Sequence, residues 1–224
     1  MSRKTVRVLL VDDHAVVREG YRTLLSKHEG LMVVGEAADA ASAYRGYKDT
    51  QPDVVIMDIS MPGRGGIDAI EHIRRFDAHA RILVFTMHSS AVYALQAFRA
   101  GARGYVTKSS PPNLLISAVR DVAEGRVAMC PEISEALALD RVHGEKAKLE
   151  DLSPREFEIF CMILDARSTD EIASALNVSR KTVANYHYSI KAKLGVASDI
   201  ELLYVGLRQG LVGPVSPAPI ADVT

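Results

Sequence analysis

Val54-Val55-Ile56-Met57-Asp58-Ile59-Ser60-Met61-Pro62-Gly63 is the stretch on which the fold turns. Four apolar residues run unbroken into a lone carboxylate, and Pro62, Gly63, Gly65 and Gly66 then force a loop. An apolar run bounded by turn residues reads as a strand buried on both faces, as in a parallel sheet. Asp58 then sits at the strand's carboxyl end, the edge where open parallel α/β sheets bind ligands. Taken alone, such an aspartate more often caps a loop than does chemistry. The rest of the chain changes that weighting.

Four further apolar runs precede and follow it, each succeeded by helical spacing. Val6 to Val11 leads to Asp12-Asp13, and a helix from Ala15 to Lys27 follows. Leu31 to Val34 is a strand punctuated by Gly35, with a helix over Ala40 to Tyr47. Ile67, Ile70 and Ile73 mark the helix after Asp58. Ile82 to Phe85 ends at Thr86, and Val92, Leu95 and Phe98 mark the next helix. Gly104-Tyr105-Val106 ends at Thr107-Lys108, and a helix runs from Pro111 to Glu124. Strands alternating with helices predict a doubly wound, parallel, five-stranded α/β sheet with right-handed crossovers.

In that fold Asp12, Asp13, Asp58, Thr86 and Lys108 all reach one edge. Three carboxylates, a hydroxyl and an ammonium in one shallow site are a strong signal. Clustered carboxylates repel, and a divalent cation relieves the repulsion; an all-oxygen set suits Mg²⁺. A carboxylate also serves as a nucleophile toward a phosphoryl group, whose charge metal and lysine neutralise. The phosphorylated product carries about −1.5 to −2 charges at neutral pH, to which a neighbouring hydroxyl and lysine can respond.

The 224 residues are long enough for two domains. A net charge of −1 excludes a global field for nucleic acid, so any basic surface is local. Cys130 and Cys161 lack paired or metal-ligand spacing and read as reduced thiols, Cys130 as a small buried hydrophobe. No apolar run is long enough for a membrane span, and the N-terminus MSRKTVRVLL reads as carrying no signal peptide.

After Gly125 the periodicity weakens. Pro131 opens a short helix over Glu132 to Leu139, and Asp140 to Lys148 reads as a polar linker. Ser153-Pro154-Arg155-Glu156 is a capping box opening a helix through Phe157, Phe160, Cys161 and Leu164. Ser168 or Thr169 caps a second helix, Asn177-Val178 turns, Ser179 caps a third that Gly195 stops, and Ser198 caps a fourth. From Pro214 on, PVSPAPIADVT reads as a disordered tail. Short helices with a tight turn form a helix-turn-helix, which reads DNA. Between Ser153 and Gly210 seven basic residues balance seven acidic ones, yet Ser179 to Leu194 holds Arg180, Lys181, Lys191 and Lys193 with no acid. Charge alone does not distinguish a DNA-reading helix from a solvated face.

Residues 5–125 resemble a response-regulator receiver domain, of flavodoxin-like fold, through VDDH at 11–14, DISMPG at 58–63, FTMH at 85–88 and GARGYVTKS at 101–109. The resemblance implies that Asp58 accepts phosphate from a sensor histidine kinase. It implies that Asp13, Asp58 and the Ser60 backbone carbonyl bind Mg²⁺, with Asp12 acting through water. Thr86 would turn toward the phosphoryl group, Tyr105 would follow it inward, and Lys108 would pair with a phosphate oxygen. Tyr105 reads equally as a packing residue. His88 and His14 read as a solvated loop residue and a structural one. Many receivers carry proline after the lysine; here Ser109 leaves the Lys108–Ser109 peptide either trans, or cis at about 2.5–4 kcal/mol.

Residues 150–212 resemble a LuxR-type helix-turn-helix, through LSPREFEIF, DEIASALNVSRKTVANY and IKAKLGV. The whole chain is similar to the NarL/FixJ family of response regulators. The resemblance implies DNA contacts by Lys181, Thr182, Asn185, Tyr186 and Lys193, alongside Arg180, with Val183 reaching a base edge. Ala184 and Tyr186 stand where many members carry lysine and histidine. The last helix would supply a homodimer interface through Leu202, Val205 and neighbours, or be plain core. The expected domains are a receiver over 1–125, a linker over 126–150, a DNA-binding domain over 151–212 and a tail over 213–224. The chain is expected to be a cytoplasmic, phosphorylation-controlled transcription regulator rather than an enzyme; the alternative is a protein-binding adaptor.

Overall fold

The apolar runs fold as strands because each lies between two layers of helices. In the computed structural model, which describes residues 5–61, 65–143 and 148–212, Val54–Met57 (β3) is buried along its whole length. On one side of it lies Val6–Val11 (β1), followed by Ala15–Ser26 (α1), Leu31–Ala37 (β2) and Ala40–Thr50 (α2). On the other lie Gly66–Phe76 (α3), Ile82–Thr86 (β4), Ala91–Ala100 (α4), Gly104–Thr107 (β5) and Pro112–Ala123 (α5). All pairings are parallel and the order is β2-β1-β3-β4-β5-β6, β6 being the two-residue strand Ala128–Met129. The winding reverses between β1 and β3, the crevice where such sheets take ligands.

Side chains alternate across the sheet. Val8, Leu10, Val54, Ile56, Leu83 and Val106 pack under α1 and α5. Leu9, Val11, Val55, Met57, Val84 and Tyr105 pack under α2, α3 and α4. Gly66 is required by close approach: a Cβ there would overlap the Asp58 carbonyl and the Ile59 Cα, so α3 starts hard against the end of β3.

Three features depart from the sequence reading. The sheet has six strands, because Ala128–Met129 (β6), inside the stretch read as linker, pairs with Gly104 and Tyr105 of β5. Gly35 does not end β2; Val34 is skipped in the pairing and the strand continues to Ala37. The helix after Pro131 (α6) runs to His143. Residues 144–147 of the polar linker, residues 62–64 of the loop after Asp58, the first four residues and the tail over 213–224 lie outside the described residues.

A 3₁₀ turn over Lys148–Asp151 leads to Pro154–Leu164 (α7), Thr169–Leu176 (α8), Arg180–Leu194 (α9) and Asp199–Arg208 (α10). Ser153 with Glu156 and Ser168 with Glu171 form full capping boxes, and Asn177 turns the chain in the left-handed region at φ 51°. Phe157, Phe160, Ile172, Ile190 and Leu202 build the helical core, which is continuous with the receiver core beneath α3 and α4.

Candidate functional site: an acidic pocket and an exposed helix

The carboxyl ends of β1, β3, β4 and β5 meet because these strands are parallel neighbours. Asp12 and Asp58 are each 2% exposed, and Lys108 Nζ donates to Asp12 Oδ2 at 2.7 Å and to Asp58 Oδ2 at 2.5 Å. Burial alone would pull the Lys108 ammonium down; its hydrogen bonds to the two carboxylates outweigh that and raise it. Asp58 Oδ1 accepts from the Ser60 amide at 2.9 Å, and Asp12 Oδ1 from the His14 amide at 2.8 Å.

One ammonium cannot neutralise three carboxylates. Ligand atoms of Asp12, Asp13, His14 and Asp58 lie within 4.8 Å of one another. Asp13 Oδ1 is buried and accepts no hydrogen bond among the described residues; His14 Nδ1 lies 3.0 Å away without donor alignment. Such an oxygen is costly to bury unsatisfied. The residues therefore fit a hard divalent cation of the Mg²⁺ type, held by carboxylate oxygens.

Thr86 is fully buried, its Oγ1 3.1 Å from Ser60 Oγ, a partner the sequence reading had not assigned. Tyr105 is fully buried too, and its hydroxyl donates to the His88 carbonyl at 3.0 Å, so its ring points inward. No peptide bond among the described residues is cis, so Lys108–Ser109 is trans. The Lys108 amide donates to the Thr86 carbonyl at 2.7 Å, and Ser109 Oγ donates to Thr107 Oγ1 at 2.9 Å. The lysine is aimed by this extended ladder and hydroxyl pair.

His88 is not a solvated loop residue. Its ring stacks on Tyr93 with centroids 3.9 Å apart, and burial lowers its pKa against the opposing pull of Asp58 and Asp165. Tyr93 meets Phe157 edge-on at 5.2 Å and donates to Cys161 Sγ at 3.3 Å. The Gly65 amide donates to Glu158 Oε1 at 2.5 Å. Thus α7 closes over the pocket, leaving a cleft of about 520 Å³ with Asp13, Ser60 and His88 on one wall and Phe157, Glu158 and Cys161 on the other. Burial raises Glu158 and pushes the Cys161 thiol up to about 12. Sequence patterning offered no signal for these contacts, because Tyr93, Phe157, Glu158 and Cys161 also read as ordinary helix-face residues and Gly65 and His88 as loop residues.

The C-terminal helices sort the remaining candidates. Arg180, Lys181 and Asn185 are exposed on α9, and Thr182 is half-buried, its hydroxyl 2.8 Å from Ser179 Oγ. Val183 is 2% exposed and belongs to the core, so it cannot reach a base edge while the domain is folded. Tyr186 is half-buried against that core. Lys193 Nζ donates to Glu156 Oε2 at 2.6 Å and to the Asp151 carbonyl at 3.1 Å, tying α9 to the start of α7. Burial opposes ionisation of Glu156, but Lys193, Ser153 and Ser189 hold its pKa down at about 2. Arg180 pairs with Asp170 and Lys191 with Asp199. Of the α9 cations, Lys181 has no ion pair among the described residues. On α10, Leu202 is fully buried and Val205 half-buried, so Leu202 is core rather than interface. The outward face is Ile200, Leu203, Tyr204 and Leu207.

Residues 8–120 match the family model described as response regulator receiver domain, and residues 150–205 the model described as bacterial regulatory proteins, luxR family. The chain belongs to the response regulators of this two-domain family. The regulator is 38% identical over 208 residues to the response regulator UvrY of Escherichia coli (strain K12), covering 92% of this chain and 95% of UvrY. It is similar to RcsB from Salmonella enterica serovar Typhimurium, solved bound to promoter P1flhDC in the presence of the phosphomimetic BeF₃⁻: 30% identity, TM-score 0.69, covering 90% of this chain and 98% of that one. A second RcsB structure, of two dimers bound to two parallel DNAs, matches at 31% identity and TM-score 0.58, covering 90% and 98%. The family makes the chain a regulator, not an enzyme.

Proposed function

We propose that Asp58 accepts a phosphoryl group from a histidine kinase and that this modification controls sequence-specific DNA binding by α9. The observation that carries the reading is the Lys108 ammonium bridging two buried carboxylates beside the unsatisfied Asp13 oxygen. Asp58 Oδ attacks phosphorus, and the bond to the kinase imidazole breaks. Asp13, Asp58 and the Ser60 carbonyl would hold Mg²⁺, with Asp12 acting through water, and the ion would supply charge neutralisation to the transferring group. Lys108 exchanges its bond to Asp58 for one to a phosphoryl oxygen. Thr86 leaves Ser60 Oγ to donate to another. That movement disturbs the loop whose His88 carbonyl holds Tyr105 and whose His88 ring supports Tyr93, the residue against α7.

We divide the chain into a receiver over 1–125, a connector over 126–150, a DNA-binding domain over 151–212 and a tail over 213–224. In the second domain Lys181 contacts phosphate, Arg180 joins it by exchanging Asp170 for a phosphate oxygen, Thr182 and Tyr186 flank the groove, and Asn185 reads bases. Lys193 contributes by fixing α9 rather than by meeting phosphate. The exposed α10 face, spaced for one side of a helix, is the homodimer contact, in line with RcsB dimers on DNA. No described helix is long and apolar enough to cross a membrane, and DNA as partner fits a cytoplasmic protein.

The test is sequencing of genomic fragments retained by the protein, with and without a small phosphodonor plus Mg²⁺, beside Asp58→Ala. Enrichment of a two-fold motif that rises with phosphodonor only when Asp58 is present is the expected result. Equal enrichment in every arm removes the phosphorylation control. No enrichment in any arm removes the DNA reading and leaves a protein-binding adaptor.

A further inference from the structure

On the recognition helix, Tyr188 stands apart from the charge pattern. It is 76% exposed and makes no hydrogen bond or ring contact among the described residues. A single exposed aromatic is ordinary on a protein surface, so its position has to decide its meaning. Residues three and four apart on a helix share a face. Tyr188 follows Ala184 by four positions and Asn185 by three, and Lys181 precedes Ala184 by three. Lys181, Ala184 and Asn185 are all exposed, whereas Val183 and Ile190, at 2% and 0%, point into the core. The outward strip is therefore a cation without an ion pair, a methyl, an amide and a phenol ring. The neighbouring cations are drawn aside, Arg180 to Asp170, Lys191 to Asp199 and Lys193 to Glu156. Beyond Lys181, such a strip has little charge for phosphates and much surface suited to base edges.

We propose that this strip reads a major-groove step containing A·T pairs, Asn185 taking an adenine edge while Tyr188 and Ala184 pack on the C5-methyl of a neighbouring thymine. The inference rests on the reading that α9 enters the major groove, and adds which bases it selects. The Asn185 amide can accept from adenine N6 and donate to N7 at once, a pairing no other base offers. The thymine methyl is the apolar group that the major groove presents, and an alanine methyl or an aromatic ring is its natural contact. Ala184 lets the helix backbone come close. Tyr188 spans the remaining gap with a rigid ring that loses little conformational freedom on contact.

The experiment uses the full chain with phosphodonor and Mg²⁺. Randomised duplexes are selected on wild type, Tyr188→Ala and Asn185→Ala, and each thymine of the wild-type half-site is then replaced by deoxyuridine, which removes the C5-methyl alone. One deoxyuridine position is expected to weaken wild-type binding about fourfold, the worth of one buried methyl. Tyr188→Ala is expected to lose sensitivity at that position while keeping its retention on unselected DNA. Asn185→Ala is expected to lower selectivity for one adenine by about tenfold. Tyr188 touches nothing in the core, so far-ultraviolet circular dichroism matching wild type accompanies the expected result. If wild type is indifferent to every deoxyuridine, or Tyr188→Ala selects the same site as strongly, the proposal is overturned and DNA binding stands. If wild type retains no duplex, both fall.

Discussion

The acidic pocket and α9 treat their charges in opposite ways. In the pocket, groups far apart in the chain, Asp12, Asp58 and Lys108, are drawn to within hydrogen-bond distance and buried together. On α9, four cations close in sequence are parted, three of them neutralised by acids from α7, α8 and α10. The difference follows from geometry. Parallel strands deliver their ends to one edge, so order along the chain predicts convergence. A helix sends neighbouring residues in different directions, so whatever packs beside it decides which charges remain free.

Lys108→Met should have the largest effect. It leaves Asp12 and Asp58 buried without their cation, and urea unfolding of the receiver is expected to show a loss of about 3–5 kcal/mol, partly restored by Mg²⁺. An unchanged midpoint would mean that the pocket is solvated and that its contrast with α9 is false.

Glu156→Gln tests the helix side. With its folded pKa at about 2 against an ordinary 4.5, Glu156 stabilises the folded domain fully above pH 4.5, and that contribution is lost as pH falls toward 2. The loss should be about 3 kcal/mol, read as an acid-unfolding shift in wild type that the variant lacks. Lys193→Met should share this stability loss while changing the salt dependence of DNA binding little.

Tyr93→Ala should weaken the contact between pocket and α7 by about 1–2 kcal/mol, through its lost stacking and edge-on contacts. The reading is a faster reaction of Cys161 with a thiol reagent, in a Cys130→Ala background, because release from burial lowers the thiol's pKa. An unaltered rate would remove Tyr93 as the link. The smallest effect belongs to Lys181→Ala, which should weaken binding similarly on all sequences and lower the salt slope by about 1.

Much of this architecture is legible without coordinates. The run Val54–Met57, its carboxylate and its glycines already imply a buried strand and a site at its end, because so short an apolar run, rich in β-branched residues and bounded by turn residues, suits a strand covered on both faces rather than a helix. The caps at Ser153, Ser168 and Ser179 are equally local and hold in the structure. The sixth strand was not legible, since two residues, Ala128 and Met129, carry no periodicity and pair only because β5 offers an open edge. Nor was the inward turn of Val183, a strand-like residue on a helix whose core side is set by Ile190 and the neighbouring helices.

Patterns of apolar residues and chain order therefore settle which groups reach the acidic edge of the sheet, because backbone hydrogen bonding and burial act on the chain as a series. Which charges stay free, which tyrosine faces outward and how α7 walls the cleft beside Asp13 and Ser60 were decided only by packing between elements distant in sequence. There a side chain's role depends on the neighbour that buries or pairs it, as Glu156 does Lys193 and Phe157 does Tyr93.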